Sequence, residues 1–483
     1  MTLGEGTRMT LGEGRRMTLG EGTRTTLGEG TRMTLGVIAD DFTGATDIAS
    51  MLVRAGMRTV LLIGVPDAGA AVAADAVTDA VVIALKTRTV PAPDAVRESL
   101  AALRWLQAAG MRQCLFKYCS TFDSTPAGNI GPVTEALMEA LGCDFTIACP
   151  AFPENGRTVY RGHLFVGDQL LSDSGMRQHP LTPMTDANLV RVLQAQCVRR
   201  VGLLRRDGVG RVLTAVHAVQ AVQAHFDELR EQGVAIAIAD AISDDDLRTL
   251  AAACADLPLL TAGSGLALGL PTVYAQRGWL MPDAGAAVLD LATGGAAVLA
   301  GSCSMATNAQ VQRWRAAGRP AFTIDPHSLA RGEPVAAQAL AWALSWAQPQ
   351  RTRGAGQAGH AGHADQAVLI SATAPADELN AVQRELGALA AGALVEACFA
   401  QIAQGLVAQG LRRLVVAGGE TSGAVVQALG VTRLRIGPAI CPGVPWTQAE
   451  NGPQESPLHL ALKSGNFGGP DFFDEALRLE VHA

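Results

Sequence analysis

The chain has 483 residues, of which 48% are hydrophobic and 17% are charged, and its formal net charge is -7 at pH 7. This composition excludes an intrinsically disordered protein, and the length predicts roughly two or three domains. The acidic balance offers no basic surface for nucleic acid or for an anionic membrane. We therefore expect a globular protein that binds neither nucleic acid nor a membrane.

The nine cysteines are scattered along the chain without a C-x-x-C pair. That pattern favours reduced thiols in a cytoplasmic protein over a disulfide framework or a zinc site. Apolar stretches such as residues 234–239 and 296–300 are much shorter than a membrane span, and no signal-peptide pattern opens the sequence. We predict a cytoplasmic location.

Residues 1–32 consist of four near-copies of an octapeptide, MTLGEGTR, and a fifth copy begins at Met33 and runs into VIADDFTG. A unit of eight residues with two glycines and one leucine cannot bury an apolar face, so the repeats do not form a solenoid. We interpret residues 1–32 as a disordered tail that arose by tandem duplication of a start at Met33.

From residue 35 onward, short apolar runs alternate with helical patterns. In the first helical pattern Ala45, Ile48, Ala49 and Leu52 recur at the spacing of one helix face. The runs that we predict to be buried strands are residues 35–39, 59–63, 80–85, 115–118 and 145–149. This alternation predicts the α/β class with a mostly parallel sheet.

A second block of the same alternation begins after a loose segment at residues 276–295. Its apolar runs are residues 296–300, 322–325, 368–371 and 414–417. The glycine- and alanine-rich stretch 354–366 interrupts this block and predicts a loop insertion. We therefore predict two α/β domains with mostly parallel sheets, residues 33–275 and residues 296–483, joined by the linker 276–295.

Lysine is rare in this chain, because of 38 basic residues only three are lysines: Lys86, Lys117 and Lys463. Each lysine ends an apolar run and begins a polar loop, which is where open α/β sheets bind their ligands. A lysine ammonium suits a carboxylate or a phosphate. We therefore predict functional sites at these three strand ends.

Two motifs of the first block contain further candidates. In IADDFTGA, adjacent Asp40 and Asp41 end a strand before a Thr-Gly pair that opens a helix. A carboxylate there can accept a hydroxyl proton or bind Mg²⁺, although one aspartate in this position can also simply cap the helix. In KYCSTFDSTPAGN, Lys117 and Asp123 stand among serines and threonines, which fits either a polyhydroxylated ligand or a Ser/Pro/Gly turn.

The second block has three glycine-rich strand ends, AGSCS, AGGETSG and KSGNFGG, which begin at Ala300, Ala417 and Lys463. Backbone N–H groups in such loops can bind phosphate oxygens without interference from side chains. None of the three matches the P-loop or the Rossmann fingerprint. Together they favour a nucleotide pocket.

The motifs ADDFTGATD, CPAFPENGRT, RGHLFV with LLSDS, GSCS, AGGETSG and LKSGNFGG follow one another between about residues 33 and 473. In this order they resemble the blocks of the four-carbon acid sugar kinase family. The resemblance implies that residues 33–275 bind the sugar acid, that residues 296–483 bind ATP, and that they react in a cleft between the two domains. It further implies a phosphotransferase with an alcohol group as acceptor that uses ATP and Mg²⁺. It does not identify the metal ligands, and a homodimer is a further expectation.

The resemblance also assigns roles to individual residues. Its sugar-acid contacts fall on Asp40, Asp41, Arg88, Lys117, Asp123 and Ser124. Its ATP contacts fall on Ser302, Gly418, Gly419, Glu420, Thr421 and Gly465. We expect the γ-phosphoryl group to move to the terminal C4 hydroxyl, with Lys463 and the amides of residues 418–421 stabilising its charge and with either Asp41 or Asp123 as the base.

The stretch KYCSTFDSTPAGNIGPV bears on the choice among four-carbon acids. Family members that act on threonate and erythronate typically carry arginine before the Gly-Asn pair, where this sequence has Ala127. The difference favours 3-oxo-tetronate as the substrate, with D-threonate or D-erythronate as the alternative. An alternative of another class is a non-catalytic sugar-acid sensor, although polar residues in both domains argue against it.

Overall fold

A computed structural model describes residues 33–67, 78–178, 182–206, 215–347, 367–372, 387–450 and 456–479. The octapeptide repeats and the insertion 354–366 lie outside the described residues, so what we predict for them stays a prediction.

The strands are β1 (Leu35–Ala39), β2 (Thr59–Ile63), β3 (Ala80–Ala84), β4 (Gln113–Lys117), β5 (Thr146–Cys149), β6 (Arg157–Tyr160), β7 (His163–Val166), β8 (Gln169–Leu170), β9 (Val201–Leu204), β10 (Ile236–Ala239), β11 (Leu259–Ala262), β12 (Gly295–Ala300), β13 (Ala321–Thr323), β14 (Val368–Ser371), β15 (Leu411–Ala417), β16 (Arg433–Cys441), β17 (Val444–Ala449) and β18 (Leu458–Lys463).

The helices are α1 (Phe42–Arg54), α2 (Ala92–Ala108), α3 (Ile130–Leu141), α4 (Leu189–Gln194), α5 (Ala215–Glu231), α6 (Asp244–Ala253), α7 (Leu270–Gln276), α8 (Met305–Ala316), α9 (Pro326–Ala330), α10 (Val335–Ala347), α11 (Ala388–Ala408), α12 (Gly419–Ala428) and α13 (Phe472–Arg478).

One 15-stranded sheet runs through both predicted blocks, in the order β13-β14-β12-β15-β18-β17-β16-β2-β3-β1-β4-β11-β5-β10-β9. Neighbouring strands are parallel from β2 to β9 and again from β13 to β18. Most residues of the central strands are buried, as expected for a parallel sheet covered on both faces. The predicted α/β class with mostly parallel strands is confirmed.

An antiparallel ribbon, β16–β17, joins the two parallel parts. β17 pairs with β18, and β16 pairs with β2, where Leu434 lies opposite Leu61. The local sequence pattern does not predict this ribbon, because a Gly-Pro pair interrupts the apolar run of β16. Part of the predicted linker packs on the ribbon, where Asp290 Oδ2 accepts a hydrogen bond from Gln448 Nε2 at 2.7 Å.

Strand register brings the predicted site loops together. β1, β3 and β4 end level with one another, with Ala39 beside Lys117. β12, β15 and β18 also end level, with Ala417 beside Lys463. Because parallel strands end at the same edge of a sheet, each group of loops forms one continuous surface.

Helix α1 connects these two surfaces. Asp41 caps the helix and accepts a hydrogen bond from the Gly44 N–H at 3.0 Å. The helix packs against β2, β16 and β17 of the sheet and against α12. Phe42 lies so close to α12 that a Cβ on Gly423 would come within 2.9 Å of its ring. The first turn of α1 therefore lies where the two groups of loops meet.

Among the described residues, α11 is the one helix long and apolar enough to span a membrane, over Ala390–Ala408. The helix packs against α10 and α12, and Phe399, Ile402 and Leu406 are buried in the core. Of the apolar stretch, 33% is buried, and the core helix of a soluble protein meets the same criteria of length and composition. The expectation that the apolar stretches of the chain are all much shorter than a membrane span is therefore wrong for residues 390–408.

Candidate active site

A cluster of charged side chains lies where β1, β3 and β4 end. Arg88 donates two hydrogen bonds to Asp40, from Nε to Oδ2 at 3.0 Å and from Nη2 to Oδ1 at 2.8 Å. The same Nη2 donates to Asp41 Oδ1 at 2.6 Å, and Nη1 lies 4.0 Å from Asp123 Oδ2. One guanidinium therefore gathers three of the predicted sugar-acid carboxylates, and we call this group the Arg88 cluster.

Burial and charge together set the protonation of the Arg88 cluster. Burial raises the pKa of Asp40, although the Arg88 charge opposes the rise. Burial also acts to raise the pKa of Asp41, but the charges of Arg88 and Lys117 outweigh it and hold that pKa below its usual value. Burial acts to lower the pKa of Arg88, but the two aspartates outweigh it and hold that pKa well above its usual value. Asp41 and Arg88 are therefore charged at neutral pH.

Asn129 holds the loop that carries Arg88. Its Nδ2 donates to the backbone oxygens of Thr87, Arg88 and Val90, at 2.6, 3.2 and 2.9 Å. Asn129 is buried, so these bonds form away from water and fix the loop firmly. Asn129 ends the motif KYCSTFDSTPAGN, and the sequence pattern alone indicates no role for it.

Lys117 lies buried beneath the first turn of α1. A Cβ on Gly44 would stand less than 3.0 Å from both Lys117 Nζ and Asp41 Oδ1. Position 44 therefore requires glycine if the lysine is to approach the aspartate.

Asp47, one turn further along α1, is a buried carboxyl that the sequence analysis missed. Burial raises its pKa to about 6, and the Lys117 charge opposes the rise. The residue belongs to the motif ADDFTGATD, so the sequence contains a signal for it, although the paired aspartates at the strand end are the stronger signal.

The loop after β4 carries the last two predicted sugar-acid residues. Asp123 Oδ1 accepts a hydrogen bond from Thr121 Oγ1 at 2.6 Å, while its Oδ2 faces Arg88. Ser124 Oγ accepts a hydrogen bond from Gln196 Nε2 at 2.8 Å, so the structure ties this hydroxyl to the segment after α4. Asp123 thus joins the Arg88 cluster, whereas Ser124 lies at its border.

The backbone of the same loop is strained at Phe122. Its φ of 53° lies in the left-handed region, which is rare for a bulky residue. The ring is fully buried and packs edge-on against Tyr118, with the ring centroids 5.3 Å apart. Such strain persists where the surrounding packing enforces it, and it is common at binding sites.

The three glycine-rich strand ends form a cradle of backbone around the start of α12. A Cβ on Gly301 would stand less than 3.0 Å from Thr421 Oγ1, and one on Gly465 would stand less than 3.0 Å from Ser302 Oγ. Gly418 has a φ of 129°, which side chains rarely allow. The strand ends therefore approach so closely that backbone and hydroxyl groups line the surface, as phosphate-binding loops require. We call this surface the glycine cradle.

The Arg88 cluster and the glycine cradle lie next to each other and approach through the first turns of α1 and α12. A Cβ on Gly419 would stand 3.9 Å from Thr43 Oγ1 in the first turn of α1. Lys86, just beyond β3, forms an ion pair of 2.6 Å with Glu420 in the first turn of α12 and lies 3.9 Å from Glu396 of α11. The structure therefore brings the residues predicted to contact sugar acid close to those predicted to contact ATP. We call these two adjoining surfaces the two walls of the predicted cleft.

Lys463 does not extend into this cleft. Its Nζ donates to the backbone oxygens of Ser464, Gly465 and Phe467 at 2.9, 2.9 and 3.1 Å, and to Thr307 Oγ1 at 3.1 Å. Burial lowers the pKa of Lys463 to about 7. Four acceptors surround the Lys463 amino group, which carries at most three protons, and the predicted contact of Lys463 with the transferring phosphoryl group stays a prediction.

Family models match both halves of the chain. Residues 35–270 match a sugar-binding N-terminal domain, and residues 297–473 match a nucleotide-binding C-terminal domain. The fold and its two adjoining sites thus define a protein with adjacent sugar-binding and nucleotide-binding domains. The chain belongs to the four-carbon acid sugar kinase family, as the motifs predicted.

The chain aligns with its relatives over most of their length. The chain is 61% identical to the 3-oxo-tetronate kinase of Cupriavidus necator, over 91% of this chain and 96% of that protein. It is 62% identical to the 3-oxo-tetronate kinase of Pseudomonas fluorescens, over 91% of this chain and 95% of that protein. A crystal structure from Salmonella typhimurium, described as a tRNA synthase, matches the fold with a TM-score of 0.77 and 45% identity, over 92% of this chain and 99% of that one.

Proposed function

We propose that this chain is an ATP-dependent kinase that phosphorylates the terminal C4 hydroxyl of 3-oxo-tetronate. The relatives at 61% and 62% identity are named for that activity. The observation that carries the proposal is the meeting of the Arg88 cluster and the glycine cradle at Thr43 and Gly419. Phosphoryl transfer depends on holding acceptor and donor in line at short range, and two adjoining sites supply that arrangement.

On the sugar-acid wall, charge provides the recognition. Arg88 and Lys117 supply positive charge for the substrate carboxylate. Asp41 and Asp123 supply acceptors for its hydroxyl groups. Because Asn129 fixes the Arg88 loop and Gly44 admits Lys117, these groups are positioned before the substrate arrives.

Asp123 is a better candidate than Asp41 for the base that accepts the C4 hydroxyl proton. Both oxygens of Asp41 already accept hydrogen bonds, Oδ1 from Gly44 and Arg88 and Oδ2 from Thr43. The structure places Arg88 at 4.0 Å from Asp123 Oδ2, which leaves that oxygen room for a substrate hydroxyl. Asp41 then positions Arg88 and the first turn of α1.

On the nucleotide wall, the backbone N–H groups of the glycine cradle bind the phosphates of ATP. The described residues contain no group of three or more His, Cys, Asp or Glu side chains that could hold a metal ion. The hydroxyls of Ser302 and Thr421, together with the nucleotide phosphates, would hold Mg²⁺. The ion would neutralise charge on the phosphate oxygens.

The location and the assembly of the enzyme stay predictions. The nine cysteines all lie in the described residues and form no disulfide there, which favours the reducing cytoplasm. A homodimer is the expected assembly, and size-exclusion chromatography with light scattering measures it directly.

The experiment that tests the proposal is coupled ADP release with 3-oxo-tetronate, D-threonate and D-erythronate in parallel. The full chain is compared with a chain that starts at Met33. We expect turnover chiefly of 3-oxo-tetronate, equal in both chains. A preference for either of the other acids would overturn the substrate and keep the kinase. Binding of a sugar acid without any ADP release would overturn the kinase in favour of a sensor.

A further inference from the structure

The loop 464–469, which follows β18 and forms one wall of the glycine cradle, is bonded from beneath by helix α8. Gln310 of that helix is buried, and its Nε2 donates to the backbone oxygens of Phe467, Gly468 and Gly469 at 3.0, 3.1 and 3.0 Å. The two N–H bonds of one amide group are therefore shared among three consecutive carbonyls of the loop.

Two hydroxyls at the start of α8 bond the same loop. Thr307 Oγ1 donates to the Gly465 oxygen at 2.9 Å, and Ser304 Oγ donates to that oxygen at 2.5 Å. Lys463, at the end of β18, reaches the loop from the same side. Together these side chains bond the carbonyl oxygens of five of the six loop residues: Ser464, Gly465, Phe467, Gly468 and Gly469.

Because the peptide bond is planar, the direction of each of these carbonyls also sets the direction of the N–H group in the same peptide unit. In a trans peptide the C=O and the N–H of the same unit point in opposite directions. Carbonyls drawn toward α8 therefore direct the N–H groups of Gly465, Asn466, Gly468 and Gly469 away from α8. Several N–H groups that face one side form a concave anion-binding surface.

We propose that Lys463, Thr307 and Gln310 are positioning residues for nucleotide binding, because they orient loop 464–469 so that its N–H groups receive the phosphates of ATP. The inference rests on the proposed kinase function. It gives the buried lysine a role through the loop. It also explains why polar side chains of α8 are buried beneath a glycine-rich loop.

The substitution Thr307→Val tests the inference with little change in volume, because it replaces only the hydroxyl. We expect the Kd for ATP, measured by calorimetry with MgATP, to rise about tenfold, which corresponds to the loss of about one hydrogen bond to a polar group. The KM for 3-oxo-tetronate should stay within about twofold of wild type. Thr307→Ser keeps the hydroxyl and should restore the Kd.

Gln310→Met should have a larger effect, because three carbonyls lose their donor at once. We expect a rise in the Kd for ATP of about thirtyfold. Gln338→Met, at an exposed position on α10, is the matched control and should bind ATP as wild type does.

The possible outcomes distinguish a failure of the positioning role from a failure of the proposed kinase function. If Thr307→Val and Gln310→Met fold and bind MgATP as tightly as wild type, the positioning role is overturned and the kinase stands. Equal rises in the KM values of both substrates would also overturn it, because they would reflect general damage to the structure. If the wild-type chain itself fails to bind MgATP, the proposed function falls and this inference falls with it.

Discussion

The two walls of the cleft are built from different parts of the chain. On the sugar-acid wall, long charged side chains converge, with Arg88 bonded to Asp40 and Asp41. On the nucleotide wall, glycines let three strand ends approach until backbone groups form the surface. The difference matches the ligands, because a sugar acid carries a carboxylate and several hydroxyls, whereas phosphates accept bonds from N–H groups. Substitutions that remove charge should therefore impair the first wall most, and substitutions that add volume should impair the second wall most.

The largest effect is expected from Arg88→Met. The substitution leaves Asp40 and Asp41 in a buried site without their counter-charge, so we expect the free energy of unfolding to fall by about 3–5 kcal/mol. Turnover should drop by roughly a thousandfold or more, because the carboxylates lose the group that orients them. Urea unfolding and coupled ADP release measure the two effects.

Two variants serve as controls for that prediction. Arg88→Lys keeps the charge but loses the two-pronged bonding to Asp40, so its stability and activity should lie between those of wild type and Arg88→Met. Arg97→Met removes an arginine that is 65% exposed on α2 and should change little. An Arg88→Met protein as stable as Arg97→Met would show that the charges of the cluster do not depend on one another.

A pair of glycine substitutions sharpens the comparison further. Gly44→Ala places a methyl group against Lys117 and Asp41, and Gly465→Ala places one against Ser302. We expect Gly44→Ala to raise the KM for the sugar acid and Gly465→Ala to raise the KM for ATP, each by about a hundredfold, because a displaced contact group costs roughly 1–3 kcal/mol. The KM for the other substrate should stay within about threefold.

Gly175→Ala is the matched control, because a Cβ there would meet no atom within 4 Å. It should leave both KM values unchanged. If each of the two site variants raises both KM values equally, the walls do not act separately, and the assignment of one wall to each substrate fails.

The buried carboxyl of Asp47 should make the free energy of unfolding depend on pH. Its pKa of about 6 lies above the usual 3.8, so between these values the folded protein holds a proton that the unfolded chain has lost. Stability should therefore fall as pH rises from about 4 to about 6, by up to about 3 kcal/mol, and should stay lower above that window. Asp47→Asn cannot titrate and should be the more stable protein at pH 8.

Urea unfolding of wild type and Asp47→Asn at pH 5 and pH 8 measures this difference. Asp168→Asn, at an exposed turn, should follow wild type at both pH values. If wild type and Asp47→Asn keep the same difference in stability at pH 5 and pH 8, burial does not perturb this carboxyl.

The contrast between the walls also explains what could be predicted from the sequence. The charged side chains that the structure brings together were indicated in the sequence by the rarity of lysine and by the paired aspartates at a strand end. Strands such as β2 and β14 matched the predicted runs 59–63 and 368–371, since uninterrupted apolar runs signal buried parallel strands.

The sequence could not show the direction in which a side chain points or the pairing of residues that lie far apart in the chain. Lys463 ends a strand as predicted, but the direction of its side chain depends on the loop that folds over it. The bonds from Thr307 and Gln310 to that loop join positions about 160 residues apart in the chain, which no local pattern encodes. The pairing of β16 with β2 is of the same kind, since it unites two predicted domains in one sheet.

The smallest effect is expected at Lys86 and Glu420, the ion pair between the walls. Both side chains are about half exposed, at 47% and 53%, so the pair should contribute less than about 1 kcal/mol to stability. Because the partners belong to different walls, we expect Lys86→Met and Glu420→Gln each to lower kcat about threefold, and the double variant to be no slower than either. Glu396→Gln, whose carboxylate is 3.9 Å from the lysine, should have less effect. If the effects of the two single substitutions multiply in the double variant, the ion pair of Lys86 with Glu420 does not position the two walls. The pairing of β2 with β16 alone would then set the distance between the walls.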